Sequence, residues 1–466
     1  MRVTLHAQQP VNTIKNTQYP KYSSRLMLKQ MPMDKISFGK FSEISSVNAP
    51  SFEDKGYIRL KGLNVEREAK LHDADIDNLN IGLDLESTGT LNAKNVEVGS
   101  SAELNNANIK GKIKVSHELE STGMLNAKDV KAENAKLNNA NIEGKIKVSH
   151  ELESTDMINA KSIEAENAGL KNANIKGTIK ISKKLKSTDT INAGSIETGS
   201  SAEINNANIK GTIKAYYGLK STGTINARSI EAHSTTELNN ANIKGTIKTY
   251  YDDLKSTGTL NAKNVEANDV SLKNANIQEK IKTYDDLEST GTFKVKNADI
   301  WGNCSLNDAN IQEEIKTHHN HNLESTGLFK AKKAKAGGDV ILNTVEAEQI
   351  ISGRHVELGP VKKLESLTML RSYSSEDNNR RLVFNNPEEM PKKKVNVLLE
   401  GLGNKILKLT IQTPDGDADK ILKKLDFFEV LEDAGEKIIK AGKQFSKDEI
   451  ASFVKKGIIN VVKKTA

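Results

Sequence analysis

The sequence is dominated by one nine-residue word that returns at nearly constant spacing. The word reads LESTGTLNA or a close variant, and successive copies begin 33 to 36 residues apart. A second word, NANIKG or a variant, returns with nearly the same period. Such self-similarity predicts a repeat architecture whose units stack on their neighbours. The first word begins at Leu85, Leu119, Leu152, Leu185, Leu219, Leu254, Leu287 and Leu323.

The apolar residues within each unit form short alternating pieces, as in Leu91, Ala93, Val96 and Val98. Helical repeats of similar length need longer segments with apolar residues at helical spacing, whereas alternation between Asn, Gly, Ser and Thr predicts strands and turns. Each unit also divides into two halves of about 17 residues, enough for three short strands and three corners. The segment from 57 to 370 then allows roughly 18 coils, on the order of 85 Å at about 4.8 Å per coil. We therefore predict a mainly β protein built as a single-stranded β-helix.

Asparagines recur at fixed places in the coils, where stacked amides can hydrogen-bond from coil to coil. One predicted register comes from the first word, and a second contains pairs such as Asn106 and Asn108. Corner glycines such as Gly89 are replaced only by Asp156 and Asp189, which favours a left-handed backbone there. The predicted stacking ladder consists of Asn92, Asn126, Asn159, Asn192, Asn226 and Asn261.

The alternations NIKGTIK and STGTLNAKNVE, in coils of this size, resemble the bactofilins, which are polymer-forming cytoskeletal proteins of bacteria. The resemblance covers about residues 57–370. It implies a right-handed, triangular β-helix that polymerises end to end. This chain departs from that family by its greater length, its more uniform repeats and a separate C-terminal segment.

One corner of the coils carries rings and charged groups, and we interpret it as an exposed stripe. Aromatic side chains there can stack on a glycan or a protein partner, or they can simply stabilise the corner. The residues of this candidate partner-binding stripe are His117, His150, Tyr216, Tyr217, Tyr250, Tyr251, Tyr284 and His319.

Three histidines at the end of the stripe, His318, His319 and His321, are candidate ligands for a transition metal. The alternative is a solvated corner insertion, since no Cys or carboxylate lies beside them at ligand spacing. Trp301 and Cys304 lie in the least regular unit, and we expect both to pack inside a distorted coil. The sequence indicates no bound metal and no cofactor.

No sequence motif indicates catalysis. The chain lacks a nucleophile elbow, a phosphate-binding glycine loop, an HExxH motif and a Cys-x-x-Cys pair, so we expect no enzyme. The 68 basic and 61 acidic residues are intermixed and aromatics make up only 4%, which argues against nucleic acid as a partner. A single cysteine suits a reducing compartment.

The flanks differ from the repeats. Residues 1–50 are basic and aperiodic, so we predict a mostly disordered arm, with weak contact to an acidic membrane surface as one reading and a solvated tail as the other. Residues 51–371 are the predicted solenoid, and 372–391 form a polar linker. Residues 392–466 are predicted as a small α+β domain, a hairpin plus two helices, that caps the last coil.

Two functions are compatible with these patterns. The first is a non-catalytic structural scaffold that self-assembles end to end or laterally in the bacterial cytoplasm, which the missing signal-peptide pattern favours. The second is a secreted or surface-exposed adhesin or effector, exported without a classical signal, that binds a glycan or protein through the Tyr and His stripe. Cellular location separates the two.

Overall fold

In the computed structural model the described residues are 3–4, 36–38, 43–44, 46–369, 379–385, 395–401, 408–413, 425–434, 437–439, 455 and 459–463. They form two compact units, residues 1–220 and 221–466. Within each unit, strands pair in parallel with strands one turn away along the chain. Each unit is therefore a parallel β-solenoid with about 17 residues per turn, as the sequence predicts.

The strands of the first unit are short pieces or whole turns. They are Val3–Thr4, Ile36–Phe38, Glu43–Ile44, Val47–Ala49, Phe52–Asp54, Tyr57–Val65, Ala69–Leu71, Asp73–Ile81, Leu85–Val98, Ala102–Val115, Glu118–Ala132, Asn134–Ile142, Lys145–Val148, Glu151–Ser154, Met157–Ala160, Ser162–Ala165, Asn167–Leu170, Asn172–Ile181, Leu185–Thr198, Ala202–Ile209 and Thr212–Ala215. The boundary between the units falls within the strand Leu219–Ser221.

The second unit follows the same scheme. Its strands are Thr224–Ala227, Ser229–Ala232, Thr236–Leu238, Asn240–Thr249, Leu254–Ala267, Val270–Thr283, Leu287–Ile300, Cys304–Thr317, Leu323–Ala336, Val340–Ser352, Val356–Leu358, Val361–Lys363, Ser366–Met369, Asn379–Phe384, Val395–Gly401, Lys408–Thr413, Leu425–Ala434, Lys437–Ile439 and Ile459–Lys463.

Each turn has three faces. In the turn that starts at residue 85, face A is 85–87, face B is 91–93 and face C is 96–98, and on every face two buried residues flank one that points outward. The corner that joins face C of one turn to face A of the next is the C–A corner. This buried–exposed–buried pattern recurs in the following turns, because alternate side chains of a strand lie on opposite sides of it.

The inward columns of faces A and B alternate in side-chain size. On face B, Leu125 lies between Ala107 and Ala140, and Ile158 lies between Ala140 and Ala173. All five side chains are buried. Placing a large residue over a small one fills the interior at native packing density. The sequence therefore repeats every two turns, although the backbone repeats every turn.

The serine of the STG word points inward and closes the A–B corner, which joins face A to face B. Ser121 is buried and its hydroxyl donates to the carbonyl oxygen of Gly123 at 3.2 Å. Ser154 donates in the same way to the carbonyl oxygen of Asp156 at 2.6 Å. The predicted left-handed backbone is wrong at Gly123, where a Cβ would instead lie 2.3 Å from the carbonyl oxygen of Asn105 in the preceding turn. Close approach of two turns explains this glycine.

Strands also occur outside the predicted solenoid boundaries. Val47–Ala49 pairs in parallel with Tyr57–Val65, and Val47 and Ala49 are buried. Within the predicted linker, Asn379–Phe384 pairs in parallel with Val356–Leu358, and Phe384 is buried. Most of the predicted basic arm lies outside the described residues.

The described pieces of the C-terminal segment include strands that continue the parallel pairing. Val395–Gly401 pairs in parallel with Ser366–Met369 and Leu425–Ala434, while Lys408–Thr413 pairs in parallel with Asn379–Phe384 and Ile459–Lys463. Leu425–Ala434 contains the sequence DFFEVLED, whose aromatic and branched residues favour strands. Most of the predicted α+β domain lies outside the described residues, so its hairpin and two helices stay a prediction.

Candidate functional site

The C–A corner of the first unit carries a ladder in which histidine and lysine side chains alternate with glutamates. His117 Nδ1 lies 2.8 Å from Glu133 Oε2. His150 lies between two glutamates: its Nε2 is 3.3 Å from Glu133 Oε1, and its Nδ1 is 2.8 Å from Glu166 Oε2. Lys183 pairs with Glu166 in the next turn. The two histidines are therefore two turns apart with a carboxylate between them, so this part of the predicted stripe is an ion-pair ladder.

Electrostatics at this ladder favour the ionised carboxylate. Hydrogen bonds from Lys183 and then from His150 lower the pKa of the Glu166 carboxyl. Farther along the same corner, Tyr216 and Tyr217 are 61% and 62% exposed, with ring centroids 6.3 Å apart. The corner of the first unit thus offers solvent one ionic stretch and one pair of phenol rings.

The C–A corner of the second unit is aromatic. His233 lies 4.9 Å from the ring of Tyr250 and 6.0 Å from the ring of Tyr251, between ring centroids. Lys248 Nζ lies 4.6 Å from the centroid of Tyr250, within cation–π distance. Tyr251 is 72% exposed. His233 and Lys248 thus contact the ring of Tyr250, while Tyr251 is exposed to solvent.

Tyr284 is anchored through its hydroxyl. The hydroxyl donates to Glu266 Oε1 at 2.8 Å and accepts from Lys282 Nζ at 2.9 Å, and the same ammonium group lies 4.2 Å from the ring centroid. Burial opposes ionisation of Glu266, but hydrogen bonds from Tyr284 and Lys248 lower the pKa of its carboxyl. The orientation of this ring is thereby fixed while 47% of Tyr284 remains exposed.

Trp301 belongs to this corner, and the prediction that it packs inside a coil is wrong. Its ring is 41% exposed and stacks on His318, with centroids 4.4 Å apart and an interplanar angle of 12°. His319, whose φ is 51°, lies 5.8 Å from Trp301 between centroids. Sequence reasoning missed Trp301 and His233, although each lies one turn along the chain from another member of the stripe.

His318 is occupied by other contacts. Its Nε2 lies 2.7 Å from Asp299 Oδ1, and although burial acts against it, the hydrogen bonds from His318 and Lys280 lower the pKa of the Asp299 carboxyl. Among the described residues, the metal-ligating side chains close enough to share one ion are Asp269, Asp285 and Asp286, so the three candidate histidines do not form such a group.

Two of these aspartates, Asp269 and Asp286, act as turn caps. Asp269 Oδ1 accepts the backbone N–H of Asp286 at 2.9 Å, and Asp286 Oδ1 accepts the N–H of Asn303 at 2.6 Å. Burial, aided by the neighbouring carboxylates, raises the pKa of the Asp269 carboxyl. The hydrogen bonds give the two carboxylates a structural role at successive C–A corners.

The asparagine ladder lies on the outward position of face B and has one register instead of two. Asn108 pairs with Asn92 and with Asn126, so both sequence words supply the same column. Its amide donates to Asn92 Oδ1 at 3.1 Å and accepts from Asn126 Nδ2 at 2.7 Å. In the first unit the ladder is Asn92, Asn108, Asn126, Asn141, Asn159, Asn174, Asn192 and Asn208, and in the second it contains Asn226, Asn242, Asn261 and Asn276.

Cys304 lies in an inward column between Leu287 and Leu323, as expected for a packing residue. It is 1% exposed, and burial raises the pKa of its thiol far above the ordinary value. A buried neutral thiol is chemically inert, so Cys304 serves as a small apolar residue.

Searches of protein-family models, curated proteins and solved structures matched none of them to this chain. Among the described residues, no helix is both long enough and apolar enough to cross a membrane. The candidate surfaces are thus of two kinds. In the first unit, amide groups and charged side chains pair with their neighbours one turn away, and in the second unit the C–A corner exposes aromatic rings.

Proposed function

We propose that this chain is a non-catalytic structural scaffold, a bactofilin-like, right-handed and triangular β-helix that assembles with copies of itself. The observation that carries the proposal is that outward side chains bond to their counterparts one turn away, and so form ladders along the turns. Several neighbouring asparagines of face B bond to one another, as Asn208 does to Asn192 at 3.0 Å. Charges of face C pair in the same direction, as between Lys114 and Glu97 at 2.5 Å. Such ladders stiffen a stack and can continue across an interface between identical ends.

The corners of the described turns support a scaffold role because they are short. Two to five residues separate face C from the next turn, as the three between Val98 and Ala102 do. Enzymes built on β-helices need loops that gather acids and bases over one groove. Self-assembly instead needs uniform turns with exposed strand edges at the ends, which readily pair with another chain.

Electron microscopy of the full-length chain and of a chain ending at Ser372 tests this function. If the C-terminal segment covers the last turn, the full-length protein should stay monomeric or form short oligomers, and the truncated chain should form filaments. Filaments from the full-length protein would support the scaffold function and contradict the proposed capping role of the C-terminal segment. Absence of filaments from both chains, at matched concentration and salt, would sink the scaffold proposal.

A second candidate function rests on the aromatic corner of the second unit. Tyr251, Tyr284 and Trp301 are 72%, 47% and 41% exposed, whereas large apolar side chains on faces A and B are mostly buried. Exposed rings with fixed orientation suit stacking on sugar rings or on a protein partner. This candidate makes the chain a surface-exposed or secreted binding protein.

Fractionation of the native cells discriminates the two functions. A scaffold of the cytoskeletal kind is expected in the cytoplasm, and a binding protein in the envelope or the medium. Substitution of Tyr251 and Trp301 by alanine in the chromosomal copy provides the second arm. Loss of cell-surface or partner attachment without loss of the folded protein would favour the binding function.

A further inference from the structure

A column of stacked lysines follows the asparagine ladder along face B of the first unit. Each lysine comes directly after the second inward residue of the face, so the paired registers place them in consecutive or near-consecutive turns. All are exposed. This lysine column consists of Lys94, Lys110, Lys128, Lys161, Lys176 and Lys210, and Glu143 stands between Lys128 and Lys161.

The lysine column differs from the other charged columns of the same unit. On face C, Lys114 pairs with Glu97 and Lys147 pairs with Glu164. On face A, the outward Lys136 lies 3.4 Å from Glu120. Face C also stacks lysines in consecutive turns, at Lys114, Lys131 and Lys147, but two of these three have a glutamate partner one turn away.

Within the described part of the chain, only Lys94 of the lysine column has an ion-pair partner, Asp77 at 3.1 Å. Like charges directly opposite each other on neighbouring strands destabilise a sheet, and turns stack at about 4.8 Å. Lys110 and Lys128 each directly follow a residue of the pair Ile109 and Ala127, and Lys161 and Lys176 likewise follow the pair Ala160 and Ile175, so lysines lie near each other in successive turns. A ligand that carries regularly spaced negative charge would relieve the repulsion.

A cavity of about 720 Å³ marks the start of the column. Its lining includes Lys61, Lys94 and Lys110 together with the ladder residues Asn92 and Asn108. Asn108 uses one N–H and one lone pair for its bonds to Asn92 and Asn126, and an amide carries a second of each. The carboxylates of Asp75 and Asp77 also line the cavity, so cations and amide groups share this surface with two acidic side chains.

We propose that face B of the first unit binds a linear acidic polysaccharide along the lysine column. The lysines pair with its carboxylate or sulfate groups, and the adjoining amides hydrogen-bond to its hydroxyls. Nucleic acid fits less well, because single strands are held by stacking on aromatic rings. From residue 90 to residue 210, the outward position of face B and the positions directly before and after the face hold Asn, Lys, Thr, Met, Glu and Gly only.

Isothermal titration of the full-length chain with polygalacturonate at low salt tests the proposal, with neutral dextran and a thymidine oligonucleotide as comparison probes. The column variant carries Lys110→Gln, Lys128→Gln, Lys161→Gln and Lys176→Gln. The control variant removes the same charge from face C of the same unit, and its substitutions are Lys114→Gln, Lys131→Gln, Lys147→Gln and Lys180→Gln.

We expect the column variant to bind polygalacturonate about tenfold more weakly or worse, with a shallower salt dependence, and the control to stay within about threefold. Glu143→Gln should tighten binding by about twofold, because it removes the acidic residue within the column. The urea midpoint without ligand should rise in the column variant, since repulsion is relieved, and fall in the control, which loses two ion pairs.

Several outcomes would overturn the proposal. Equal losses of polygalacturonate affinity in the two variants would show that binding depends only on net charge and not on the lysine column. Tighter binding of the oligonucleotide than of polygalacturonate would assign the column to nucleic acid. Salt-sensitive self-association that only the column variant loses would assign it to the acidic residues of a second copy. No binding of polygalacturonate by the unmodified chain would remove the site.

Discussion

Two kinds of column run along the turns, and they follow different rules. In the inward columns a large side chain alternates with a small one, as Leu125 does with Ala107 and Ala140. At the C–A corner the side chains change along the chain, from the His and Glu ladder around His150 to the rings around Trp301. The interior thus fixes the fold, and the corner is free to acquire different chemistry on an unchanged backbone.

The largest expected effect separates inward from outward positions. Ile209→Asp should cost several kcal/mol, about 3 to 5, because Ile209 is 4% exposed and an unpaired carboxylate would be buried there. Lys210→Asp, one residue later and exposed, should cost less than about 1 kcal/mol. Urea unfolding and amide exchange of the first unit measure both. Equal costs would invert our assignment of the faces.

A second prediction concerns the alternation of size. Leu125→Ala should cost about 2 to 5 kcal/mol and Ala140→Leu about 1 to 3 kcal/mol. The double variant should cost at least the sum of the two, because it sets alanine on Ala107 and leucine against Ile158. Urea midpoints of the three variants provide the measurement. If the double variant instead recovered stability, packing would depend only on the contact between residues 125 and 140 and not on the alternation along the whole column.

A third prediction places the corner rings at the low end of stability effects. Tyr251→Ala should change the free energy of unfolding by less than about 0.5 kcal/mol, since Tyr251 is 72% exposed. Trp301→Ala should cost about 0.5 to 1.5 kcal/mol through the lost stacking on His318. Thermal unfolding checks both, and a cost comparable to Ile209→Asp would make the corner part of the core.

The smallest expected effect is a pH dependence at the ion-pair ladder. The pKa of Glu166 is lowered in the folded state, so its contribution to stability is present above the ordinary carboxyl pKa and is lost as pH falls below it through the lowered value. Lys183→Met should move the Glu166 pKa back toward 4.5. Carbon-detected NMR titration of the carboxyl measures the shift, and an unchanged pKa would contradict the assignment of Lys183 as its main cause.

The regular parts of this molecule could be predicted from its sequence. Inward residues such as Ile109 and Val115 follow from alternation alone, because a strand with one buried side leaves a period of two. The word STG was harder: its serine looked like a turn residue, yet Ser121 is buried, because its hydroxyl finds a carbonyl acceptor within the corner. A buried polar residue that makes its hydrogen bond within its own corner cannot be recognised from a pattern of hydrophobic residues in the sequence.

The candidate site could be predicted only in part. Tyr250, Tyr251 and Tyr284 were placed correctly on an exposed corner, since they interrupt the repeat words at one fixed offset. Trp301 was misplaced because its unit departs from the words. The partners of His150 were missed because they come from the half-unit between two stripe residues, and only the three-dimensional register brings Glu133 and Glu166 beside it. Most of the C-terminal segment lies outside the described residues, so its predicted hairpin and helices stay a prediction.

The two-turn alternation of the interior sets a rule for changes in chain length. Loss or gain of a single turn would set two large or two small side chains against each other, in the inward columns of faces A and B, at the junction where the turn is lost or gained. Loss or gain of two turns keeps the alternation at every junction. Packing therefore favours gene deletions or duplications of about 34 residues over those of about 17, so the length of such a solenoid is expected to change in steps of two turns.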